Sequence, residues 1–185
     1  MKKTLIVLIA LAAVVVLWGF SGYNSLVTLN ENADAQWAKV ETQYQRRFDL
    51  IPNLVNSVQA VLTQEQTVFG DLADARARYS GAATPDQRAA AASQVESALG
   101  RLLVIVENYP QLKSSENVRD LMAQFEGTEN RISVERTRFN DVIRDYNTSI
   151  KRFPKNILAS LTGFNERAYF EAATGAENAP TVNFE

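Results

Sequence analysis

The sequence predicts an all-α protein: an N-terminal transmembrane helix followed by an antiparallel bundle of three to four long helices. Three observations carry this expectation. An uncharged apolar run opens the chain, apolar residues then recur at heptad spacing, and glycine and proline are sparse, 8 and 5 among 185 residues. Sparse turn formers disfavour a β-rich fold, and sustained heptads specify helices that pack lengthwise.

The opening run, Thr4 to Phe20, is rich in Leu, Ile, Val and Ala. A spanning helix needs roughly 20 apolar residues, with ~17 the lower edge. Ser21, Gly22, Tyr23 and Asn24 extend the run without charge, and Trp18 and Tyr23 lie near its far end, where aromatic rings favour the membrane interface. A cleaved signal peptide would share the basic start and apolar core, but no small-x-small cleavage pattern follows. Residues 1–23 are therefore expected to be an uncleaved anchor, with residues 4–23 in the bilayer. Lys2 and Lys3 are the only charges in the first thirty residues. The positive-inside rule keeps them cytoplasmic and places the rest of this single-pass protein on the periplasmic or extracellular side of the cytoplasmic membrane.

Residues 24–171 are expected to form the bundle. A seam of alternating four- and three-residue steps runs from Leu26 through Asn30, Ala33, Trp37, Val40, Tyr44, Arg47, Ile51, Leu54 and Val58, then through Val61, Glu65, Val68, Leu72, Ala75 and Tyr79. The unbroken phase predicts one helix from the membrane to about Tyr79, roughly 80 Å beyond the bilayer at ~1.5 Å per residue. Pro52 removes a backbone donor and predicts a kink or break. A donor from a neighbouring arginine or Asn53 would satisfy the carbonyl freed near Phe48. Ser80 to Ala83 form a link. Thr84-Pro85-Asp86-Gln87 then reads as a helix start, with Thr84 capping, Pro85 in the first turn and Gln87 completing a capping box. That helix ends at Asn108-Tyr109-Pro110, with Tyr109 packed under the turn. Ser114 or Ser115 caps the next, which carries Glu116 in its first turn.

The last long helix has its own seam: Val118, Phe125, Ile132, Phe139, Tyr146 and Phe153, each seven apart, with Met122, Glu129, Arg136, Ile143 and Ile150 filling the other half. Pro154 stops it. Lys155 to Leu161 predicts a short helix, and Ile157, Leu158, Leu161, Phe164, Tyr169 and Phe170 are apolar enough to pack on the bundle. Residues 172–185 read as a flexible tail.

Composition removes whole classes of chemistry. The chain has no His and no Cys. That excludes disulfides, thiolate nucleophiles, Ser-His and Cys-His dyads, and His- or Cys-ligated metals. A carboxylate di-metal site built on Glu-x-x-His motifs fails for the same reason, and no EF-hand spacing is present. No Gly-rich phosphate loop or G-x-S-x-G elbow occurs. All but two of the 19 basic residues and all 21 acidic ones lie from Glu31 onward, interleaved. Arg131, Arg136, Arg138, Arg144 and Arg152 alternate with Glu129, Glu135, Asp141 and Asp145, a solvated helix face and not a nucleic-acid surface. No catalytic, cofactor-binding or metal-binding residue is expected.

Four charged residues interrupt the seams: Arg47, Glu65, Glu129 and Arg136. Buried charges need partners, so cross-helix ion pairs that set register, or side chains snorkelling at the edge of the stripe, are the expectation, against a ligand or ion site between helices. Tyr146-Asn147 and Phe139-Asn140 read as core aromatics beside capping or bridging amides.

Several segments resemble the LemA family: YNSLV at Tyr23–Val27, RRFDLIPNLVNSV at Arg46–Val58, ENYPQLKSSENVRDL at Glu107–Leu121 and TENRISVERTRFNDVIRDYNTSIKRFP at Thr128–Pro154. GFNERAYFEA at Gly163–Ala172 and the terminal PTVNFE continue the likeness over nearly the whole chain. The resemblance implies an α-helical bundle on a membrane anchor, and a family relative active in magnetosome membrane formation points to membrane organisation. The expected function is a non-enzymatic, membrane-anchored scaffold or protein-interaction module of the bacterial envelope, able to self-associate. The alternatives are a sensor or transport-accessory domain that binds a ligand or ion near Glu65, Glu129 and Arg136, and a carboxylate glycosidase, which needs two acids roughly 5–9.5 Å apart in a cleft.

Overall fold

The computed structural model describes residues 2–59 and 66–170. Within them the chain is helical, in six elements: α1 (Lys2–Gln59), α2 (Gln66–Gly81), α3 (Pro85–Asn108), α4 (Pro110–Lys113), α5 (Glu116–Lys151) and α6 (Lys155–Thr162). Val61, Glu65 and the tail 172–185 lie outside the described residues.

Contacts divide the chain into two compact units. The first joins residues up to Lys39 with Thr137–Tyr169, and the second joins Val40–Arg136 with Phe170. Helices α1 and α5 each contribute to both.

In the first unit the start of α1 has no cover: Leu5, Ile9, Val16 and Phe20 are each more than half exposed. A helix apolar on every face and bare of protein contacts is long and apolar enough to cross a membrane. Packing begins at Gly22. From there α1 and α5 run antiparallel, with Trp37 against Phe139 at 5.3 Å between ring centroids. Leu26 packs with Tyr146, Ile150 and Ala159, and Leu29, Leu158 and Phe164 close the same cluster. Helix α6 forms where Pro154 ends the α5 seam and stops at Gly163, whose φ of 80° supplies the left-handed cap that glycine adopts without strain. The chain then runs extended beside α5. Tyr146 Oη donates to the Asn165 carbonyl at 2.9 Å. The Asn147 amide donates to the Arg167 carbonyl (2.8 Å) and accepts from the Arg167 N–H (3.0 Å). The Arg167 guanidinium returns to α1, bonding Asn30 Oδ1 at 3.1 Å and Asp34 at 2.6 Å. The bridging role expected of Asn147 is thus observed.

In the second unit the seam of α1 stays in phase through Pro52: Tyr44, Phe48, Ile51, Leu54 and Val58 are buried, and the helix continues to Gln59. The single long helix to Tyr79 is not what forms. The Tyr79 ring lies 4.4 Å from that of Phe48 and 5.7 Å from that of Tyr44. An unbroken helix would separate residues 48 and 79 by about 46 Å. Helix α2 therefore folds back on α1, with Leu72 and Ala75 of its seam buried. Helices α2 and α3 pair through Arg78 to Gln94 at 3.1 Å and Arg101 to Asp71 at 3.1 Å. Thr84 caps α3 as expected, accepting from the Gln87 N–H at 3.2 Å, whereas the Gln87 side chain accepts from the Ala83 N–H, one residue before the cap. Helix α3 is also long and apolar enough to span a membrane. Its Ala91, Ala92, Val95, Leu102 and Val106 are buried in the unit, which marks it as a core helix.

The α5 seam holds with one correction. Val118, Phe125, Ile132, Phe139 and Tyr146 are buried, but Phe153 is 79% exposed, because the helix ends at Lys151 and the seam position no longer faces the core.

Gly22 gives a direct test of the first unit. A Cβ there would stand 2.6 Å from Leu158 Cδ1. Gly22→Val is expected to cost about 1–3 kcal/mol by overpacking, and adding Leu158→Ala should restore part of it. Thermal unfolding of the full chain in detergent measures both. An unchanged midpoint for Gly22→Val would contradict the close approach.

Candidate functional site

Polar groups converge inside the second unit, from α1, α3 and α5. Arg47 on α1 is buried, with only 3% of its side chain exposed, and it pairs with Glu129 on α5. Arg136, two turns further along α5, donates from Nε and Nη2 to the Tyr44 hydroxyl at 3.0 and 2.8 Å. It also pairs with Glu96 on α3 at 3.0 Å. The Arg136 guanidinium lies over the Phe170 ring at 4.5 Å, within cation–π range. Glu41 of α1 pairs with Arg88 of α3 in the same unit.

Three of the four charged seam residues thus behave as the sequence predicts, as cross-helix pairs. The fourth, Glu65, lies outside the described residues. Arg47 turns to Glu129, not to the backbone freed by Pro52. Two partners were not legible in advance. Glu96 lies in an alanine-rich helix without a marked seam, and Tyr44 reads as an ordinary apolar position. The seam count gave no signal for them, because Glu65 and Glu129 balance Arg47 and Arg136 in the sequence.

Burial pushes the Tyr44 hydroxyl above the ordinary tyrosine range, against the nearby Arg136. Burial lowers Arg47, with Glu96 opposing. Burial also works against charge on Arg136, but Tyr44 and Glu96 outweigh it and hold that guanidinium above its usual value. Both arginines stay charged at any physiological pH. Tyr79 is pushed up to about 12, first by burial and then by Glu41 and Tyr44.

Beside this layer lies a cleft of about 530 Å³. Leu99, Leu103, Met122 and Phe125 form its apolar walls, Gly100 leaves it open on α3, and Arg47, Glu96, Glu126, Glu129 and Asn130 supply its polar groups. Among the described residues no group of three or more acidic side chains is placed to hold a metal ion. Glu96 and Glu129, the carboxylates nearest the layer, are each engaged by an arginine. The arrangement can hold a small molecule by apolar contact, with polar groups in reach on the cleft wall.

Two predictions follow from the layer. Glu129→Gln leaves the buried Arg47 charge poorly paired and should cost about 1–3 kcal/mol, toward the lower end because Glu129 reaches solvent. Arg47→Met removes the buried charge and should cost less. Denaturant unfolding ranks the two, and the reverse order would refute the assignment. The second concerns alkaline pH. The folded-state hydroxyl of Tyr79 ionises near 12, against about 10 in an unfolded chain. Its contribution is fully present below pH ~10 and is lost as pH rises toward 12. Tyr79→Phe should flatten the fall in stability between those limits.

A family model for the LemA family matches residues 36–184. The magnetosome protein MamQ of Magnetospirillum gryphiswaldense is 29% identical over 174 aligned positions, covering 80% of this chain and 64% of the relative. Two MamQ proteins of Paramagnetospirillum magneticum are 28% identical over 175 positions with the same coverage. The chain therefore spans about two thirds or slightly less of the length of these relatives. The matched region takes in α3, α5 and the part of α1 that carries Tyr44 and Arg47, the elements that build the polar layer. This chain belongs to the LemA family.

Proposed function

We propose that this protein is a membrane-anchored helical module of the bacterial envelope that presents a protein-interaction surface at the bilayer and performs no catalysis. One observation carries the proposal: the bare apolar start of α1 continues, within one helix, into residues that are locked into the first unit by Leu26, Ala33 and Trp37. A helix of that kind transmits position from the membrane to the packed domain without a flexible linker. Residues 1–23 serve as the anchor, with Lys2 and Lys3 cytoplasmic and the remainder on the periplasmic or extracellular side. The magnetosome assignment of the MamQ relatives supports a membrane-organising role. Bundles with long apolar seams pair readily with copies of themselves, and confinement to a membrane raises the local concentration, so homo-oligomers are part of the proposal.

A second reading rests on the cleft at Arg47 and Glu129, whose apolar walls and polar lining suit a small envelope metabolite with both kinds of group. It makes the protein a sensor or transport accessory.

Two measurements test these readings. Crosslinking of the full chain in native membranes, followed by affinity capture, should recover defined oligomers or a reproducible partner. Monomer alone at every concentration, with no partner, would refute the interaction module. For the cleft, a screened metabolite at 100 times its Kd should stabilise the chain by about 2.7 kcal/mol. Gly100→Leu, which fills the cleft at a position with open space around its Cβ, should abolish that gain. Stabilisation that survives the substitution would place the ligand elsewhere.

A further inference from the structure

Helix α6 leaves an apolar face uncovered. Leu161 is 78% exposed and Ile157 51%, and Phe153, one further turn back, is 79% exposed. Four-residue spacing puts Ile157 and Leu161 on one side of the helix. The other side is packed, with Ala159 buried and Leu158 in the cluster around Leu26. The sequence suggested that this whole segment packs on the bundle, but only half of it does.

The position of the bare face within the first unit identifies its occupant. Leu158 meets α1 at Gly22. From Thr4 to Gly22 the helix rises about 28 Å, against a hydrocarbon core of about 30 Å, so this contact fixes α6 at the outer edge of the bilayer core. The aromatic rings agree. Tyr23 packs against Phe164 with centroids 5.9 Å apart, and Trp18 shares a recess of about 650 Å³ with Arg152, Phe153 and Lys155. Rings at this depth and basic side chains just beyond it are the groups that favour the interface and lipid phosphates. Lys155 is held on the α1 side by Ser25, 2.8 Å from Nζ to Oγ, and Arg152 is exposed.

We propose that α6 is a second membrane-contact element, with Phe153, Ile157 and Leu161 resting in the interfacial layer of the bilayer that α1 crosses and Arg152 directed at lipid phosphate. The proposal rests on the reading of α1 as a spanning anchor. It makes the unit's attachment two-point, from segments far apart in sequence yet joined at Gly22 and Leu158, so that the unit is held at a fixed depth and not merely tethered. A continuous span, flanking aromatics and cationic groups at one level favour a phospholipid surface over a protein partner.

The native chain has no cysteine, so single cysteines report cleanly. Full-length Val14→Cys, Glu31→Cys, Ile157→Cys and Leu161→Cys variants carry an environment-sensitive fluorophore in vesicles of phosphatidylethanolamine and phosphatidylglycerol. Quenching is compared between a lipid-borne nitroxide and aqueous iodide. The label at 14 reports the anchor, and the label at 31, about 13 Å beyond Gly22 along α1, reports water. Labels at 157 and 161 are expected to be quenched by the lipid nitroxide at least about twofold more than the label at 31, as for groups ~5–10 Å into the headgroup boundary. If 14 is lipid-exposed while 157 and 161 match 31, the α6 proposal fails and the anchor stands. If 14 itself is open to iodide, both fail. Protection of 157 and 161 from both quenchers would assign the face to a protein and overturn the proposal.

Discussion

Two seam guanidinium groups, Arg47 buried and Arg136 partly buried, constrain the register of the second unit. Apolar seams tolerate sliding, since one leucine can replace another in a neighbouring hole. Arg47 and Arg136 cannot slide: each would enter the interior without a counter-charge, at a cost of several kcal/mol. Their acceptors come from three helices, Tyr44 on α1, Glu96 on α3 and Glu129 on α5. Only one register satisfies all of them together. Such pairs contribute little net stability compared with well-packed hydrophobes, so their effect here is on uniqueness of arrangement.

The cleft follows from the same constraint. Holding α1, α3 and α5 at the spacing that the arginine pairs demand, with Gly100 on α3 where a larger side chain would fill the gap, leaves a cavity walled by Leu99, Leu103, Met122 and Phe125. Arg47, Glu96 and Glu129 of the layer line it, beside Glu126 and Asn130.

Much of the architecture was legible in the residues, for identifiable reasons. The anchor announces itself by composition, the α3 start by Thr84-Pro85 and Gln87, and α5 by seven-residue repeats of large apolar side chains. The reversal between α1 and α2 was not legible, because a heptad pattern records which face is buried and not whether the chain turns. Phe153 misled for the opposite reason: it continues the seam's arithmetic beyond the point where Pro154 ends the helix that gives the arithmetic meaning. At the candidate site, Arg47, Glu129 and Arg136 stood out as charges among apolar residues. Glu96 did not, because on a helix with so many small alanines its burial depends on what α1 and α5 place against it.

Asn147 carries a consequence of its own. Its side-chain amide pairs with both backbone groups of Arg167, doing for one residue what a neighbouring β-strand would do for an extended chain. No other side chain offers a donor and an acceptor at that reach. Aspartate lacks the donor, glutamine is one methylene too long, and leucine of similar bulk would strand a peptide group away from water. The segment after Gly163 is thus held by this amide together with the Tyr146 hydroxyl and the Arg167 guanidinium, but only the amide satisfies both backbone groups of one residue, so position 147 is constrained although nothing there reacts with anything.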